Sequence, residues 1–401
     1  MRKRILFVDD EPLLARTYVM VLQSQSDRWE VRSVTSAAQA LELVNRLSFD
    51  VVVADLRMPG MNGVDLINEI RKHQPQASRV IISGIRDQEE VARCLGATHQ
   101  FIPKPVDLQT LQDTLARICN LDAYLPDEKL RALVGQFDAL PSFPALYIEV
   151  VGELAAADAS LERVAEIVSQ DPAMTAKMLQ IVNSAAFGLA RSISNSFEAV
   201  QFLGTGTIRS LVLSVHVFSC FEQKDQNFSM QEFWQHSLRS AALARAICRS
   251  ADVDTAIAEE AYIAGMLHDV GKLMLASRLP QPFQQAMQLA VTRSVPLHAV
   301  ESEIFGATHS QVGAYLLGLW GLPTTIVEAV AFHHSPAKSE PKAFGPLSAV
   351  HIADALENEL SPSAAGKMVT LDAGYLSALG VQDKLEQWRA EAAQLLRVRA
   401  G

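Results

Sequence analysis

The sequence has few cysteines and no long apolar run, and each shortage excludes a class of protein. The 401 residues include only four cysteines, with no CxxC spacing, which argues against a disulfide framework or a cysteine zinc site and favours free thiols. These cysteines are Cys94, Cys119, Cys220 and Cys248. No apolar run approaches the roughly 18 residues that span a bilayer. We therefore expect a cytoplasmic protein without membrane insertion.

The sequence also lacks the basic excess that is typical of nucleic-acid-binding domains. Its formal net charge is −10, and this charge is unevenly shared. Up to Asp122 there are 15 basic and 16 acidic residues, whereas beyond it there are 20 basic and 29 acidic residues. Because an acidic region does not attract a phosphate backbone, we expect no direct DNA binding.

Length and patterning predict an α/β domain at the start of the chain. A chain of this length indicates two or three domains, and its 49% hydrophobic and 20% charged residues are typical of globular proteins. As far as about residue 120, short apolar strands alternate with amphipathic helical stretches. The strands are predicted at 5–8, 51–54, 80–82 and 101–102. This alternation predicts a parallel sheet with helices on both faces.

The remaining two thirds of the chain show helical periodicity and no convincing strand. The pair Asp171-Pro172 is typical of a helix start, with aspartate as N-cap and proline in the first turn. We predict a first domain over 1–122, a linker over 123–134, an all-α domain over 135–360 and a C-terminal helical extension over 361–401. Helices are predicted from Leu161 to Ser169, Pro172 to Val182, Phe233 to Arg249, Thr255 to Leu267, Ser310 to Leu319 and Lys384 to Arg397.

Polar residues stand at the ends of the predicted strands. Asp9 and Asp10 follow the first strand, Asp55 the second, Ser83 the third and Lys104 the last. The carboxyl ends of parallel strands form the crevice in which open α/β sheets bind ligands. Mg²⁺ takes one or two carboxylates together with waters and phosphate oxygens, and a carboxylate beside it can attack a phosphoryl group. We expect Asp55 to be this nucleophile, with Lys104 and Ser83 contacting the phosphoryl oxygens.

These residues, together with the run DLRMPG that starts at Asp55 and the pair Lys104-Pro105, resemble the receiver domain of bacterial two-component response regulators. The resemblance covers about the first 120 residues. It implies a five-stranded, doubly wound, flavodoxin-like parallel sheet. It also implies that Mg²⁺ is held directly by Asp10, Asp55 and the backbone carbonyl of Arg57, with Asp9 behind them or bound through water.

The same resemblance implies how such a domain would signal. A sensor histidine kinase would be the phosphodonor. Phe101 stands three residues before the lysine, where the family often has an aromatic residue that turns inward on phosphorylation. That movement would alter the face formed by 87–95 and 107–118, which such regulators commonly use to dimerise or to contact their output domain. We therefore expect a homodimer whose receiver acts on the helical domain through the short linker around Pro126.

A set of histidines and aspartates in the helical part could hold a second metal site. The candidate ligands are His236, His268, Asp269, His309, His333, His334 and Asp354. Neutral imidazoles and carboxylates suit Mn, Fe, Ni or Zn, and a paired site would activate water for attack on a phosphoester. The set resembles that of HD-type hydrolases, which place a histidine, an adjacent His-Asp pair and a later aspartate around a divalent ion.

The set also resembles that of the HD-GYP phosphodiesterases, which cleave cyclic di-GMP and have a tandem histidine pair. After His333-His334, however, this chain continues as SPAKSE, where those enzymes have an acidic and then a Gly-Tyr-Pro stretch. Lys272 could contact a phosphate or stabilise a helix end, and the sequence leaves both interpretations open. The histidines that match no ligand motif, and that we expect to be structural, are His216, His298 and His351.

Several further motifs resemble those of the HDOD domain, a helical signalling module related to HD-type hydrolases. They occur in order as LPSFP at 140–144, QDPAM at 170–174, VNSAAF at 182–187, IS at 193–194 and LG at 203–204. Our leading hypothesis is a response regulator whose HDOD domain passes the signal to a protein partner. The alternative is a phosphorylation-gated, metal-dependent phosphohydrolase or cyclic-dinucleotide phosphodiesterase, and a third hypothesis is a phosphate sink without an active output.

Overall fold

The protein consists of an α/β part followed by a helical part. The computed structural model describes residues 2–25, 28–84, 98–136, 141–142, 149–150, 153–154, 159–183, 191–214, 219–220, 228–339, 343–360 and 370–398. The predicted contact face at 87–95 and the histidine at 216 lie outside these residues. Among the described residues, no helix is both long and apolar enough to cross a membrane.

The α/β part contains one five-stranded parallel sheet. Its strands are β1 (Lys3–Val8), β2 (Trp29–Val34), β3 (Val51–Asp55), β4 (Ser78–Ser83) and β5 (Gln100–Pro103). They pair in the order β2-β1-β3-β4-β5, which is the doubly wound, flavodoxin-like order. The structure confirms the four strands predicted from apolar runs. The strand β2 carried no such run because it lies at the edge of the sheet and is mostly half-buried.

Helices cover both faces of this sheet. They are α1 (Pro12–Gln25), α2 (Ala37–Val44), α3 (Gly63–His73) and α4 (Leu108–Asn120). Two separate hydrophobic clusters form, with alternate residues of β3 in each of them. All five residues of β3 are buried, which explains why this strand reads as a continuous apolar run and not as an alternating one.

The second part is built of helices, as predicted. They are α5 (Glu128–Val134), α6 (Leu161–Val168), α7 (Pro172–Val182), α8 (Ser196–Ser214), α9 (Met230–Ser250), α10 (Thr255–Leu267), α11 (Val270–Arg278), α12 (Pro280–Arg293), α13 (Leu297–Phe305), α14 (His309–Leu319), α15 (Thr324–Phe332), α16 (Pro346–Leu360), α17 (Ala373–Ala378) and α18 (Leu385–Val398). The expectation that no strand occurs here was wrong in one detail. Residues Pro141–Ser142 and Ser219–Cys220 pair as two-residue parallel strands, which are too short to show a period in the sequence.

Several motifs of the helical part act through local hydrogen bonds. The Asp171 carboxylate accepts a hydrogen bond from the Met174 N–H at 2.9 Å, which confirms the predicted cap of α7. The Asn183 side chain closes the segment that follows α7, because its amide donates to the Ile193 carbonyl and its oxygen accepts from the Ile193 N–H, each at 2.7 Å. These motifs therefore stabilise the helical framework.

The two parts of the chain pack directly on each other. Residues 121–123 form a short 3₁₀ helix after α4, and α5 follows within the segment predicted as a linker. Both, together with α4, contact α14. Leu121, Leu125 and Leu130 belong to a hydrophobic cluster that continues from one face of the sheet into the helical part.

Candidate functional site

Three carboxylates meet at the carboxyl end of the sheet. Asp9 and Asp10 follow β1, and Asp55 is the last residue of β3, which pairs with β1. Their ligand oxygens lie within 4.8 Å of one another. Asp9 and Asp55 are buried, whereas Asp10 lines an open cleft of about 650 Å³ together with Arg57. Three oxygens converging beside an accessible cleft suit a hard cation such as Mg²⁺.

Lys104 supplies the positive charge of this site. Its ammonium group donates hydrogen bonds to Asp55 Oδ2 at 2.7 Å and to Asp9 Oδ2 at 3.1 Å. Burial by itself lowers the pKa of Lys104, but these two carboxylates raise it above its ordinary value. The lysine is placed by its backbone N–H, which donates to the Ser83 carbonyl at 2.7 Å. Ser83, which ends β4, is fully buried next to it.

The loop after Asp55 is held close to the strand that precedes it. The N–H of Arg57 donates to Asp55 Oδ1 at 3.3 Å, and the Asn62 side chain caps α3 by accepting from the Asp65 N–H at 2.9 Å. A side chain on Gly63 would place its Cβ 2.2 Å from the Asp55 carbonyl oxygen. Glycine is therefore required there. The Phe101 side chain lies outside the part of the chain that the structure describes.

A second site is formed by the seven predicted ligands of the helical part, all of which meet. They come from α9, from the junction of α10 and α11, from the start of α14, from the end of α15 and from α16. Two groups have ligand atoms within 4.8 Å of one another: His236, His268 and Asp354 form one, and Asp269, His309, His333 and His334 form the other. Six of these residues are buried, and His334 is half-buried.

The separations within the first group, and from it to one oxygen of Asp269, match the distances between neighbouring ligands of a metal ion. His236 Nε2 lies 3.1 Å from His268 Nε2, 3.3 Å from Asp269 Oδ2 and 3.4 Å from Asp354 Oδ1. His268 Nε2 lies 3.5 Å from Asp269 Oδ2 and 3.6 Å from Asp354 Oδ1. Four ligands about 2.1 Å from a central ion, arranged as a tetrahedron, are separated by about 3.4 Å. These five separations among the four atoms therefore agree with those of ligands around one ion.

Asp269 also faces the second group. Its Oδ1 atom lies 3.2 Å from His309 Nε2 and 3.9 Å from His333 Nε2. His334 Nε2 lies 3.0 Å from His309 Nε2. The two oxygens of a single carboxylate thus point to different groups of ligands, an arrangement that suits a pair of neighbouring ions bridged by Asp269.

Hydrogen bonds turn the Nε2 atoms of the buried histidines toward this centre. His268 and His333 are the C-cap residues of α10 and α15. Their Nδ1–H groups donate to the carbonyls of Gly265 at 2.7 Å and Val330 at 2.8 Å, which belong to the helix-end carbonyls that need a partner. Each bond assigns the proton to Nδ1 and leaves Nε2 free as a ligand.

Two buried glutamates orient the other two imidazoles. Glu357 Oε2 lies 2.6 Å from His236 Nδ1, and Glu301 Oε2 lies 2.6 Å from His309 Nδ1. Arg239 donates to the other oxygen of Glu357 at 2.7 Å. Carboxylates in this position fix the ring and increase the basicity of a metal-ligating histidine. Neither glutamate stands out in the sequence, although Glu357 lies one turn after Asp354 on the same helix face.

The electrostatics of the cluster favour a bound cation. Burial opposes ionisation of Asp269 and Asp354, but neighbouring histidines, and Lys272 for Asp269, hold the pKa of both carboxyls well below the usual range. Burial also lowers the pKa of His236, yet the surrounding carboxylates raise it to about 10. Without a metal, this imidazole therefore keeps a proton, so that positive charge is held where an ion would sit.

Buried atoms without hydrogen bonds point to the same conclusion. His333 Nε2, His334 Nδ1 and Asp354 Oδ2 are buried and have no hydrogen-bond partner among the described residues. A buried polar atom left without a partner costs about 1–3 kcal/mol. Burial and neighbouring histidines keep the pKa of His333 and His334 well below the ordinary value, so both rings are neutral and able to bind a metal.

Three further residues contact members of the cluster. Lys272 donates to Asp269 Oδ2 at 2.5 Å. His298 stacks on His334 with ring centroids 4.3 Å apart, and burial, with the charge of His309, lowers its pKa to about 4. His351 bonds to the His333 carbonyl at 2.7 Å and to the Asp372 N–H at 2.9 Å, so it supports the backbone.

Two glycines allow the helices of the cluster to approach closely. A Cβ on Gly265 would lie 2.9 Å from the Cα of Ala241, where α10 crosses α9. A Cβ on Gly271 would lie 1.9 Å from the His309 carbonyl oxygen, where α11 meets the start of α14. Both crossings bring ligands together, because Gly265 stands near His268 and Gly271 near Asp269.

We expect Gly271→Ala to separate α11 from α14 and to displace His309 from Asp269. Overpacking of this kind costs about 1–3 kcal/mol, and the clash here is with rigid backbone. Thermal unfolding should show the lower stability, and metal titration should show weaker binding. The matched control is Gly374→Ala, because the nearest atom to its Cβ is 3.4 Å away. Equal metal affinity in the two variants would contradict the role given to Gly271.

Comparisons with known proteins agree with this architecture. The model of the response regulator receiver domain matches residues 5–116, and that of the HDOD domain matches residues 140–336. The chain therefore contains a receiver domain followed by an HDOD domain, which is the architecture of a response regulator with an HDOD output. The comparisons support this interpretation and not the phosphohydrolase alternative.

Individual relatives cover parts of the chain. An uncharacterized protein of Treponema pallidum (strain Nichols) is 24% identical over 250 residues, which are 62% of this chain and 45% of that protein. The response regulator protein PilR of Pseudomonas aeruginosa is 31% identical over 121 residues, 30% of this chain and 27% of PilR. The chain thus spans less than half the length of these relatives. The crystal structure of the MmoQ response regulator from Methylococcus capsulatus has a TM-score of 0.46 and 23% identity, and the match covers 60% of this chain and 97% of that one.

Proposed function

We propose that the protein is phosphorylated on Asp55 in the presence of Mg²⁺ and that its HDOD domain passes this signal to a protein partner. The observation that carries the proposal is the geometry around Lys104, whose ammonium joins Asp55 and Asp9 at 2.7 and 3.1 Å beside an open cleft. Asp9, Asp10, Asp55 and the carbonyl of Arg57 would hold the Mg²⁺. A sensor histidine kinase would be the phosphodonor.

The receiver residues explain how a phosphoryl group would be accepted. The cation neutralises charge between the phosphodonor and the carboxylates, and Asp55 is the carboxylate that Lys104 approaches most closely. Phosphorylation adds roughly −1.5 to −2 charge and three acceptor oxygens. Lys104 and Ser83 stand at the ends of neighbouring strands, where both can contact these oxygens.

Incubation of the full-length protein with a small phosphodonor tests this function. With saturating Mg²⁺ we expect one acid-stable, base-labile phosphoryl adduct per chain, detected by intact-mass measurement. Without Mg²⁺, in the presence of a chelator, the adduct should be lost. Beryllofluoride should increase the dimer fraction in scattering or sedimentation. An adduct that forms equally well in the chelator would contradict the proposed role of the carboxylates.

We further propose that the helical domain holds a pair of transition-metal ions. The ligands would be His236, His268 and Asp354 for one ion and His309, His333 and His334 for the other, with Asp269 shared. The proposal is supported by the distances of 3.1 to 3.6 Å between the nitrogen and oxygen atoms around the first site, which agree with those between neighbouring ligands of one ion. Mn, Fe, Ni or Zn suits this donor set, and such a pair polarises phosphate oxygens and bound water.

Metal analysis of the purified protein tests this second proposal. Up to two transition-metal ions per chain should be found after incubation with Mn²⁺, Fe²⁺ or Ni²⁺ and removal of the excess, with Mg²⁺ of the receiver counted separately. If the protein stays free of transition metal after all three incubations, the proposal is wrong and these histidines are packing residues.

A further inference from the structure

One helix runs from the candidate metal cluster to the receiver. The helix α14 starts at His309, a proposed metal ligand, and ends at Leu319, beside the receiver. Ten of its eleven residues are buried, and at 1.5 Å per residue it is about 16 Å long. A buried, close-packed helix moves as a unit because its neighbours leave little room for bending.

The receiver caps the C-terminal end of this helix. The last carbonyls of a helix have no partner within it. Gln100 Nε2 donates to the Leu319 carbonyl at 3.2 Å, and Arg117 Nη1 donates to the Gly321 carbonyl at 3.5 Å. Arg117 Nη2 also donates to Gln100 Oε1 at 2.8 Å, which orients the amide. A guanidinium at a helix C-terminus is favourable because of the helix dipole.

The N-terminal end of α14 is held at the metal cluster. Glu301 Oε2 accepts from the His309 N–H at 2.8 Å and lies 2.6 Å from its Nδ1. Thr308 and Gln311 form a capping box at the same turn. Since backbone and side chain of His309 share one carboxylate partner, a displacement of the helix along its axis also displaces the imidazole relative to Asp269.

The strand β5 links the other end of the helix to the phosphorylation site. Gln100 is the first residue of β5, and Lys104 directly follows its last residue. Four residues of extended chain cover about 13 Å. The residue that approaches Asp55 and the residue that caps α14 are therefore the two ends of one short strand.

Neighbouring residues pack closely against both ends of α14. A Cβ on Gly318 would lie 2.4 Å from Cδ2 of Leu121, which belongs to the receiver side of the contact. At the opposite end, the backbone of His309 lies against Gly271. Both ends of the helix are therefore in close contact with their neighbours, with a side chain at the receiver end and with backbone at the end that carries His309.

We propose that α14 couples the receiver to the metal centre: phosphorylation of Asp55 shifts β5, Gln100 and Arg117 pass the shift to the C-terminus of α14, and the helix passes it to His309. The receiver state then sets the affinity of the metal centre. This inference rests on the proposed function, since it takes the two metal ions and Asp55 phosphorylation as its end points. Thermodynamic linkage requires the reverse effect, in which metal binding changes receiver activation by the same factor.

A titration of the full-length protein with Co²⁺ tests the coupling. It is carried out at saturating Mg²⁺, with and without beryllofluoride. The variant His268→Ala/Asp269→Ala lacks the proposed metal centre, so the Co²⁺ binding that it retains is assigned to the receiver and subtracted. In wild type, we expect beryllofluoride to change the apparent Co²⁺ affinity at least about fivefold. In Gln100→Ala/Arg117→Ala the change should fall below about twofold, while Co²⁺ and beryllofluoride still bind.

Gln180→Ala is the matched control at the same interface. Gln180 Nε2 donates to the His99 carbonyl at 3.4 Å, so this hydrogen bond also joins the two parts of the chain but does not involve α14. The control should keep the full effect of beryllofluoride. A second variant, Gly318→Ala, forces Leu121 away from the helix and should weaken the effect as well. The coupling would be overturned if beryllofluoride did not change the Co²⁺ affinity of the wild type. It would also be overturned if the change were undiminished in both Gln100→Ala/Arg117→Ala and Gly318→Ala.

Hydrogen exchange separates this inference from the proposed metal site. If the helical domain binds no Co²⁺, the metal proposal fails, and amide protection of residues 309–319 then decides the coupling. Beryllofluoride should change this protection in wild type and in Gln180→Ala but not in Gln100→Ala/Arg117→Ala. Protection that does not respond in wild type would show that α14 does not receive the signal.

Discussion

The Asp55→Asn variant is expected to accept no phosphoryl group from a small phosphodonor under conditions in which the wild type is fully modified. Asparagine keeps the size of the side chain but has neither the nucleophilic oxygen nor the charge that holds Mg²⁺. The measurement is intact mass after incubation at saturating Mg²⁺. Beryllofluoride, which occupies the same pocket, should also no longer change the scattering profile of this variant.

Two other variants make this result specific to the site. Lys104→Ala keeps the nucleophile but loses the cation, and loss of one such electrostatic contact typically slows a reaction about 10²- to 10³-fold. Asp113→Asn changes an exposed aspartate on α4, whose carboxylate accepts only from Gln109 among the described hydrogen bonds, and should be modified at the wild-type rate. If Asp55→Asn were modified as completely as Asp113→Asn, the acceptor would be another residue.

The double variant His268→Ala/Asp269→Ala is expected to lose all transition metal. It removes one ligand of the first group and the carboxylate whose two oxygens face both groups, so neither ion keeps its full ligand set. Metal content after incubation with Mn²⁺, Fe²⁺ or Ni²⁺ is the measurement. If these ions raise the melting temperature of the wild type, they should not raise that of the double variant. The reason is that a ligand stabilises only the state that binds it.

Graded and matched variants complete this experiment. Glu301→Gln leaves every metal ligand in place but removes the carboxylate beside His309, and such a change typically lowers metal affinity about 10- to 100-fold. His73→Ala removes an exposed histidine at the end of α3 and should leave metal content unchanged. Metal retained in full by the double variant would place the binding site elsewhere in the chain.

The grouping of the candidate receiver residues could be predicted from the sequence almost completely. In a parallel sheet all strands end at the same edge, so residues at or just after the ends of β1, β3, β4 and β5 come close together. Their grouping can be predicted wherever the strands themselves are recognised. The central strands were recognisable because burial makes them continuous apolar runs, as in β3. The edge strand β2 gave no such signal, and the Lys104 contacts to Asp55 and Asp9 became measurable only in the structure.

The helical site could be predicted only in part. Its seven candidate ligands, which the structure brings together, could be named because the His268-Asp269 pair and the His333-His334 pair stand out in sequence. Glu301 and Glu357 were missed, since a buried glutamate in an amphipathic helix looks like any other charged residue. Glu357 pairs with a histidine 121 positions away in the chain, a separation at which helical periodicity carries no information.

The sequence by itself determined the two domain types and the residue types of both candidate sites, because strand and helix periodicity and the types of residue are local properties. Only the tertiary structure decided how the ligands are oriented and shared: Asp269 faces both groups, and Glu301 and Glu357 turn His309 and His236 toward the centre. It also decided that α14 connects the helical cluster to the receiver. The physical reason is that these hydrogen bonds and the close contacts at glycines such as Gly271 join segments that are far apart in the chain. Such segments meet only when the helices pack against one another.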